Sequence, residues 1–272
     1  MRKLIIFSTL LLLSAVVGCM PKSSKDGHLY IISTNDVHAT IDALPRLATL
    51  VAVYEERGEV LLVDSGDRVS GNAYVDDAAE PGVPLVEIMN DMGYDVATLG
   101  NHEFDKGSQV LDAMIDAAEF DVVCANVTAK SGAKQPLHYT VIEKMGVEIG
   151  VVGVVDTDNG GFPLGGKKAY ENYDFTSDVE TAYEVCGVVA QECDFVVLLS
   201  HMGWQSDRRL AESGVACQWI AGGHSHDLKN EDVCGVHISQ NVKNIRYAMV
   251  ADLEIVGGAI VSVAYNQVNL SD

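Results

Sequence analysis

The chain has 272 residues, 48% of them hydrophobic and 7% aromatic, and a formal net charge of −21. That length bounds one large domain or two small ones. An acidic chain repels polyanions and few aromatic residues leave no stacking platform, which excludes a nucleic-acid polymer as partner; a small phosphorylated substrate held through metal ions stays compatible, because the local charge of a metal site outweighs the distant field.

The N-terminus reads as a targeting segment. Arg2 and Lys3 are basic, and residues 4–17 are apolar but too short to span comfortably as a mature helix. Val16-Val17-Gly18-Cys19 resembles a bacterial lipoprotein cleavage box. We expect a signal peptide over 1–18, lipidation at Cys19, a polar tether over 19–27 and a folded domain over 28–272. The expected location is outside the cytoplasm, lipid-anchored to a bacterial membrane, periplasmic or cell-surface. The remaining cysteines are Cys124, Cys186, Cys193, Cys217 and Cys234. Their odd number leaves at least one thiol unpaired or intermolecular. Cys186 and Cys193 are too far apart along a helix to bridge, whereas Cys217 and Cys234 flank a histidine-rich turn and could pair. Without a CxxC there is no thiolate zinc signature, and small buried side chains are the plainest reading of most of these cysteines.

Leu29-Tyr30-Ile31-Ile32-Ser33-Thr34 is a β-rich run that ends in Asn35-Asp36-Val37-His38. Leu47, Leu50, Val51 and Tyr54 recur at helical spacing over 45–57, and Gly58 stops that helix. Val60-Leu61-Leu62-Val63 is a second strand, followed by Asp64-Ser65-Gly66-Asp67. A helix over 83–92 precedes the strand Val96-Ala97-Thr98-Leu99, which runs into Gly100-Asn101-His102-Glu103-Phe104-Asp105. Ser108 is placed as the cap of a helix reaching about Glu119. A strand over 122–126 ends in Asn126, a hairpin turns at Met145-Gly146, and a Gly-rich loop covers 156–173. A helix over 178–193 leads to a strand over 195–199 and Ser200-His201. After a short helix over 206–213, a strand over 215–221 ends in Gly222-Gly223-His224-Ser225-His226. The remainder, to about Gln267, is β-rich. Helices alternating with strands, then closing antiparallel strands, argue for an α/β domain.

Five strand ends thus carry related chemistry: Asp36-x-His38, Gly66-Asp67, Gly100-Asn101-His102-Glu103, His201 and Gly223-His224-x-His226. Each alone reads equally well as a turn, a cap or a satisfied histidine. Five in order, each closing an apolar strand, point to one site at the strand C-termini.

This order resembles the calcineurin-like metallophosphoesterase superfamily. Ser33-Thr34-Asn35-Asp36-Val37-His38, Gly100-Asn101-His102-Glu103-Phe104-Asp105 and Ile238-Ser239-Gln240 before Arg246-Tyr247 resemble its 5′-nucleotidase/UDP-sugar hydrolase branch. The resemblance implies a four-layer α/β/β/α sandwich with two metals between its sheets. It implies Asp36, His38 and His226 on one metal, Asn101, His201 and His224 on the other, and Asp67 between them. His102 and Asp105 match its catalytic pair, beside the metals. Asp64, Glu103 and Asn126 read equally as groups supporting the site and as turn or cap residues. Imidazole, carboxylate and amide donors suit two divalent ions of Mn, Zn, Fe or Co. Such a pair lowers the pKa of a bridging water for attack on phosphorus, and His102 would assist the leaving group. The implied activity is phosphate-ester hydrolysis, with 5′-nucleotides as the favoured small substrate. The alternatives are a cyclic-nucleotide or general phosphodiesterase and a non-catalytic metal-binding lipoprotein. Two-domain members carry a further C-terminal domain that clamps the nucleoside base; that domain is expected to be absent from this chain, and a separate protein could supply it.

Overall fold

The computed structural model describes residues 26–271. The signal segment, Cys19 and most of the tether lie outside the described residues. In the first half are β1 (Gly27–Thr34), α1 (Leu44–Glu55), β2 (Glu59–Asp64), α2 (Ala73–Asp76), α3 (Val83–Asp91), β3 (Val96–Thr98), α4 (Ser108–Ala117), β4 (Asp121–Val123) and β5 (Val127–Ala129). In the second are β6 (Tyr139–Lys144), β7 (Val147–Val155), β8 (Tyr173–Phe175), α5 (Asp178–Val189), β9 (Phe195–His201), α6 (Trp204–Glu212), β10 (Trp219–Gly222), β11 (Leu228–Val233), β12 (Val236–Asn241), β13 (Tyr247–Val256) and β14 (Ala259–Asn269).

Two six-stranded sheets form, in the orders β14-β13-β1-β2-β3-β4 and β11-β12-β10-β9-β7-β6. Strand periodicity divides the apolar side chains into three layers. Leu29, Ile31, Leu61 and Val63 of the first sheet meet Ile149, Val151, Phe195 and Val197 of the second in the space between the sheets. Their neighbours Tyr30, Ile32 and Leu62 face the other way, against Leu47 of α1, Leu85 of α3 and Leu111 of α4. On the far side, Val152, Val196 and Leu198 pack under Ala182 of α5 and Leu210 of α6. Each fully buried Leu, Ile or Val contributes roughly 1.5–3 kcal/mol. The result is the α/β/β/α sandwich. Strands buried on both faces must be apolar throughout, which is why these runs do not alternate.

The helix over 108–117 begins differently from expectation. Its N-cap is Gly107, at φ 84°, and Ser108 lies inside the first turn, where its hydroxyl accepts from Asn172 Nδ2 at 2.6 Å. Cys217 and Cys234, which their spacing left free to pair, stand apart: the Cys234-Gly235 turn carries Cys234 out to solvent, while Cys217 points inward against the Cys186 thiol of α5.

β1, β2, β3 and β4 run parallel, as do β7, β9, β10 and β12. Their C-terminal ends therefore lie on a common edge of each sheet, and the polar segments following them meet there.

Candidate metal centre

The loops after β1 and β2 are joined along their backbones. Asp36 N–H donates to Gly66 O at 2.9 Å, and His38 N–H donates to Asp67 O at 3.0 Å. Asp36, His38, Asp67, His224 and His226 all adopt left-handed φ, between 45° and 75°. Non-glycine residues rarely do so, and such strain concentrates where surrounding structure fixes a functional side chain.

Glu103 explains part of that fixing. Its buried carboxylate accepts from Gly100 N–H at 2.6 Å, Asp67 N–H at 3.0 Å and Arg68 N–H at 2.8 Å. One carboxylate thus ties the turn after β3 to the turn after β2 through charge-assisted hydrogen bonds. Arg68, which the sequence did not single out, is buried beside it and reaches Asp64 Oδ1 at 3.4 Å. Asn126 clips the end of β7, donating to Val155 O at 2.8 Å and accepting from Val155 N–H at 3.0 Å.

The seven residues expected as metal donors come together. Asp36 Oδ1 lies 3.3 Å from His226 Nε2 and 3.9 Å from His38 Nε2, and the two Nε2 atoms are 3.1 Å apart. His201 Nε2 lies 3.1 Å from Asp67 Oδ2 and 4.0 Å from Asp36 Oδ1. His224 Nδ1 lies 3.0 Å from Asn101 Oδ1. The sheets share this site: Asp36, Asp67 and Asn101 follow strands of the first, and His201, His224 and His226 end or follow strands of the second.

The donor set fits divalent cations. His201 Nδ1–H donates to Ser65 O at 2.7 Å, which turns the other ring nitrogen inward. That Nε2 is buried, and its nearest polar neighbour is the Asp67 carboxylate at 3.1 Å. Two glycines leave the space open. A Cβ on Gly100 would overlap the Asp67 carboxylate and come within 2.8 Å of His201 Nε2. One on Gly223 would sit 2.9 Å from His201 Nδ1 and 3.1 Å from Asp36 Oδ2.

Charge is distributed unevenly. Burial lowers His38, and it lowers His224 to about 4, with the His201 charge adding to the effect; both rings are neutral near pH 7 and offer a lone pair. Burial would lower His201 too, but the Asp67 carboxylate outweighs it and holds His201 up to about 10. Asp67 is pulled down in return: burial raises it, and the His201 charge and hydrogen bonding more than reverse that. A cation seated against Asp67 would displace this proton.

His102 and Asp105 stand at the rim. His102 Nδ1 lies 2.6 Å from Asp105 Oδ2, and His102 Nε2 faces Asp67 Oδ2 at 3.9 Å. The Asp105 hydrogen bond holds His102 up to about 9. Asp105 is itself steadied by the Ser70 hydroxyl at 3.2 Å. Sequence reasoning also passed over Asp156, at the end of β7. It is 2% exposed, and burial pushes it up to about 7. An aspartate after a strand has the sequence signature of any turn cap, so no local signal marked it.

The sequence matches the calcineurin-like phosphoesterase family over residues 29–228. It is 32% identical over 247 residues to the trifunctional nucleotide phosphoesterase protein YfkN of Bacillus subtilis, covering 76% of this chain and 16% of that protein. It is 28% identical over 243 residues to the 5′-nucleotidase of Rattus norvegicus, covering 80% of this chain and 41% of that protein. The chain therefore spans well under half the length of these curated relatives. Among solved structures, the calcineurin-like phosphoesterase YfkN from Bacillus subtilis superposes with a TM-score of 0.75 at 25% identity, covering 91% of this chain and 92% of that one. The 5′-nucleotidase precursor from Thermus thermophilus has the same fold, with a TM-score of 0.76 at 24% identity over 89% of this chain and 54% of that one.

Proposed function

Because the chain belongs to the calcineurin-like phosphoesterase family, we propose that it hydrolyses phosphate esters at this centre, with 5′-nucleotides as the substrate class. The observation that carries the proposal is the convergence of Asp36, His38, Asp67, Asn101, His201, His224 and His226 at one buried edge where both sheets end. Asp36, His38 and His226 would hold one divalent cation, Asn101, His201 and His224 the other, with Asp67 serving both. Mn, Zn, Fe and Co suit this mixture of donors. Bound there, such a pair supplies Lewis-acid polarisation of the phosphate and a nucleophilic water at neutral pH.

The chain's own residues supply the rest. Glu103 and Arg68 fix the two turns that carry Asp67 and Asn101. His102 carries a proton at neutral pH because Asp105 accepts from its Nδ1–H, which leaves Nε2–H directed towards the site. That proton is placed for transfer to the departing alkoxide, a contribution on the order of 10²–10⁴ in rate. The nucleotide preference is supported by the activities for which the relatives are named. The test is a panel on metal-reconstituted protein: nucleoside 5′-monophosphates, a cyclic nucleotide and an aryl phosphate. Faster turnover of the monophosphates supports the reading; equal weak rates on all would sink the nucleotide assignment.

The leader sequence supports a second proposal, export with a lipid on Cys19. Radiolabelled fatty acid should enter the wild type and not the Cys19→Ser variant.

A further inference from the structure

We propose that Asp156 is a further carboxylate of the cation-binding centre, acting beside His224 and Asn101 on the second cation. The inference rests on the two-cation reading given above.

The backbone fixes Asp156 in place. Val155, the last residue of β7, pairs with His201 in the parallel ladder. Asp156 N–H then donates to His201 O at 3.1 Å, so the residue sits alongside an expected ligand as the strands end. The next residue is held as well: Thr157 N–H donates to Asp178 Oδ2 at 3.1 Å, at the start of α5.

The two oxygens of Asp156 have different surroundings. Oδ2 accepts from Leu164 N–H at 3.1 Å. Oδ1 is buried and has no hydrogen-bond partner. It lies 4.0 Å from His224 Nδ1, the atom that stands 3.0 Å from Asn101 Oδ1. Two donors bound to one ion at about 2.0–2.2 Å stand roughly 3–4 Å apart. The spacing is therefore that of donors around a shared cation, and it is too long for a direct hydrogen bond.

Energetics point the same way. A buried carboxylate oxygen without a donor is unfavourable, and the cost is removed when a cation sits against it. A residue present only to cap the 157–166 loop would need Oδ2 alone. Asp156 also changes the charge of the centre. With Asp36 and Asp67 it makes three carboxylates around two divalent ions, which favours retention of the ion on the Asn101 and His224 side.

The test compares wild type with the Asp156→Ala and Asp156→Ser variants. Each is stripped of metal, checked for an unchanged fold by circular dichroism, and titrated with Mn²⁺ by calorimetry. We expect two Mn²⁺ per wild-type chain. In the variants one site should keep its affinity while the other weakens at least tenfold. Both sites at wild-type affinity in a folded variant would overturn the inference. A wild-type measurement covers the case in which both variants misfold: anomalous diffraction from Mn²⁺-soaked crystals. Asp156 Oδ1 within about 2.5 Å of a cation supports the inference, and separation from both peaks by more than about 3.5 Å overturns it. Wild type that takes up no Mn²⁺ would instead refute the two-cation centre, and this inference with it.

Discussion

His102 Nδ1 lies 2.6 Å from Asp105 Oδ2, while the opposite edge of the ring faces the Asp67 carboxylate at 3.9 Å. A histidine held between two carboxylates keeps its proton to unusually high pH, here to about 9. The proton remains available across the whole neutral range, and its loss sets an alkaline limit.

The first prediction concerns that limit. Turnover that needs protonated His102 should hold up to about pH 9 and fall above it. In Asp105→Asn the ring loses its hydrogen-bonded counter-charge, so the fall should move towards the ordinary histidine value of about 6.5. His102→Ala should lower kcat by roughly 10²–10⁴ with metal content unchanged. The checks are kcat against pH for wild type and Asp105→Asn, and metal analysis of His102→Ala.

Metal removal gives the second. Chelation should abolish phosphatase activity, and added Mn²⁺ or Zn²⁺ should restore it. A ligand that binds only the folded state at 100 times its Kd stabilises by about 2.7 kcal/mol, so the denaturation midpoint should fall on chelation. Thermal melts with and without chelator measure this.

Gly100→Ala is the third. The added methyl would overlap the Asp67 carboxylate and its backbone N, with His201 Nε2 only 2.8 Å away. These groups are buried and held from several sides, so they have little room to move. A cost of about 1–3 kcal/mol in stability is expected, together with loss of metal binding. Urea unfolding and metal titration give the two readouts.

Asp207 supplies a prediction away from the reacting groups. It is buried, its Oδ1 accepts from the Ser200 hydroxyl, and its Oδ2 has no partner. Burial raises it from 3.8 to about 7. The folded state therefore binds this proton more tightly than the unfolded state. The associated stability is fully present below about pH 4 and is lost as pH rises through about 7. Asp207→Asn should flatten the wild-type decline over that window by roughly 2–4 kcal/mol. Urea unfolding at pH 4 to 8 for both proteins checks the difference, which cancels the similar contributions of Asp64 and Asp156.

The sequence was most readable where burial is complete. β1, β2, β7 and β9 have both faces covered, and Leu29 to Ile32 or Phe195 to Leu199 read as unbroken apolar runs for that reason. β5 and β8 have three residues each and pair only with one another, so little local pattern marks them. β11 reads Leu-Lys-Asn-Glu-Asp-Val, and its pairing with β12 rather than its composition makes it a strand. At the site, the histidines stood out by their order along the chain. Glu103 could be suspected as a support, yet its three amide partners belong to two turns separated by more than thirty residues. Arg68 and Asp156 were not legible, because their significance depends on which groups fold against them.

The left-handed backbone at Asp36, His38, Asp67, His224 and His226 has a practical bearing on how these residues are probed. Alanine at such positions removes the side chain chemistry and also leaves a residue poorly suited to the dihedral angle, so lost function and lost folding arrive together. Glycine adopts that conformation freely and carries no ligand. A set of glycine replacements would therefore separate ligand chemistry from conformational penalty, and any of the five that retains metal as glycine but loses it as alanine would owe its apparent importance to the shape of the main chain.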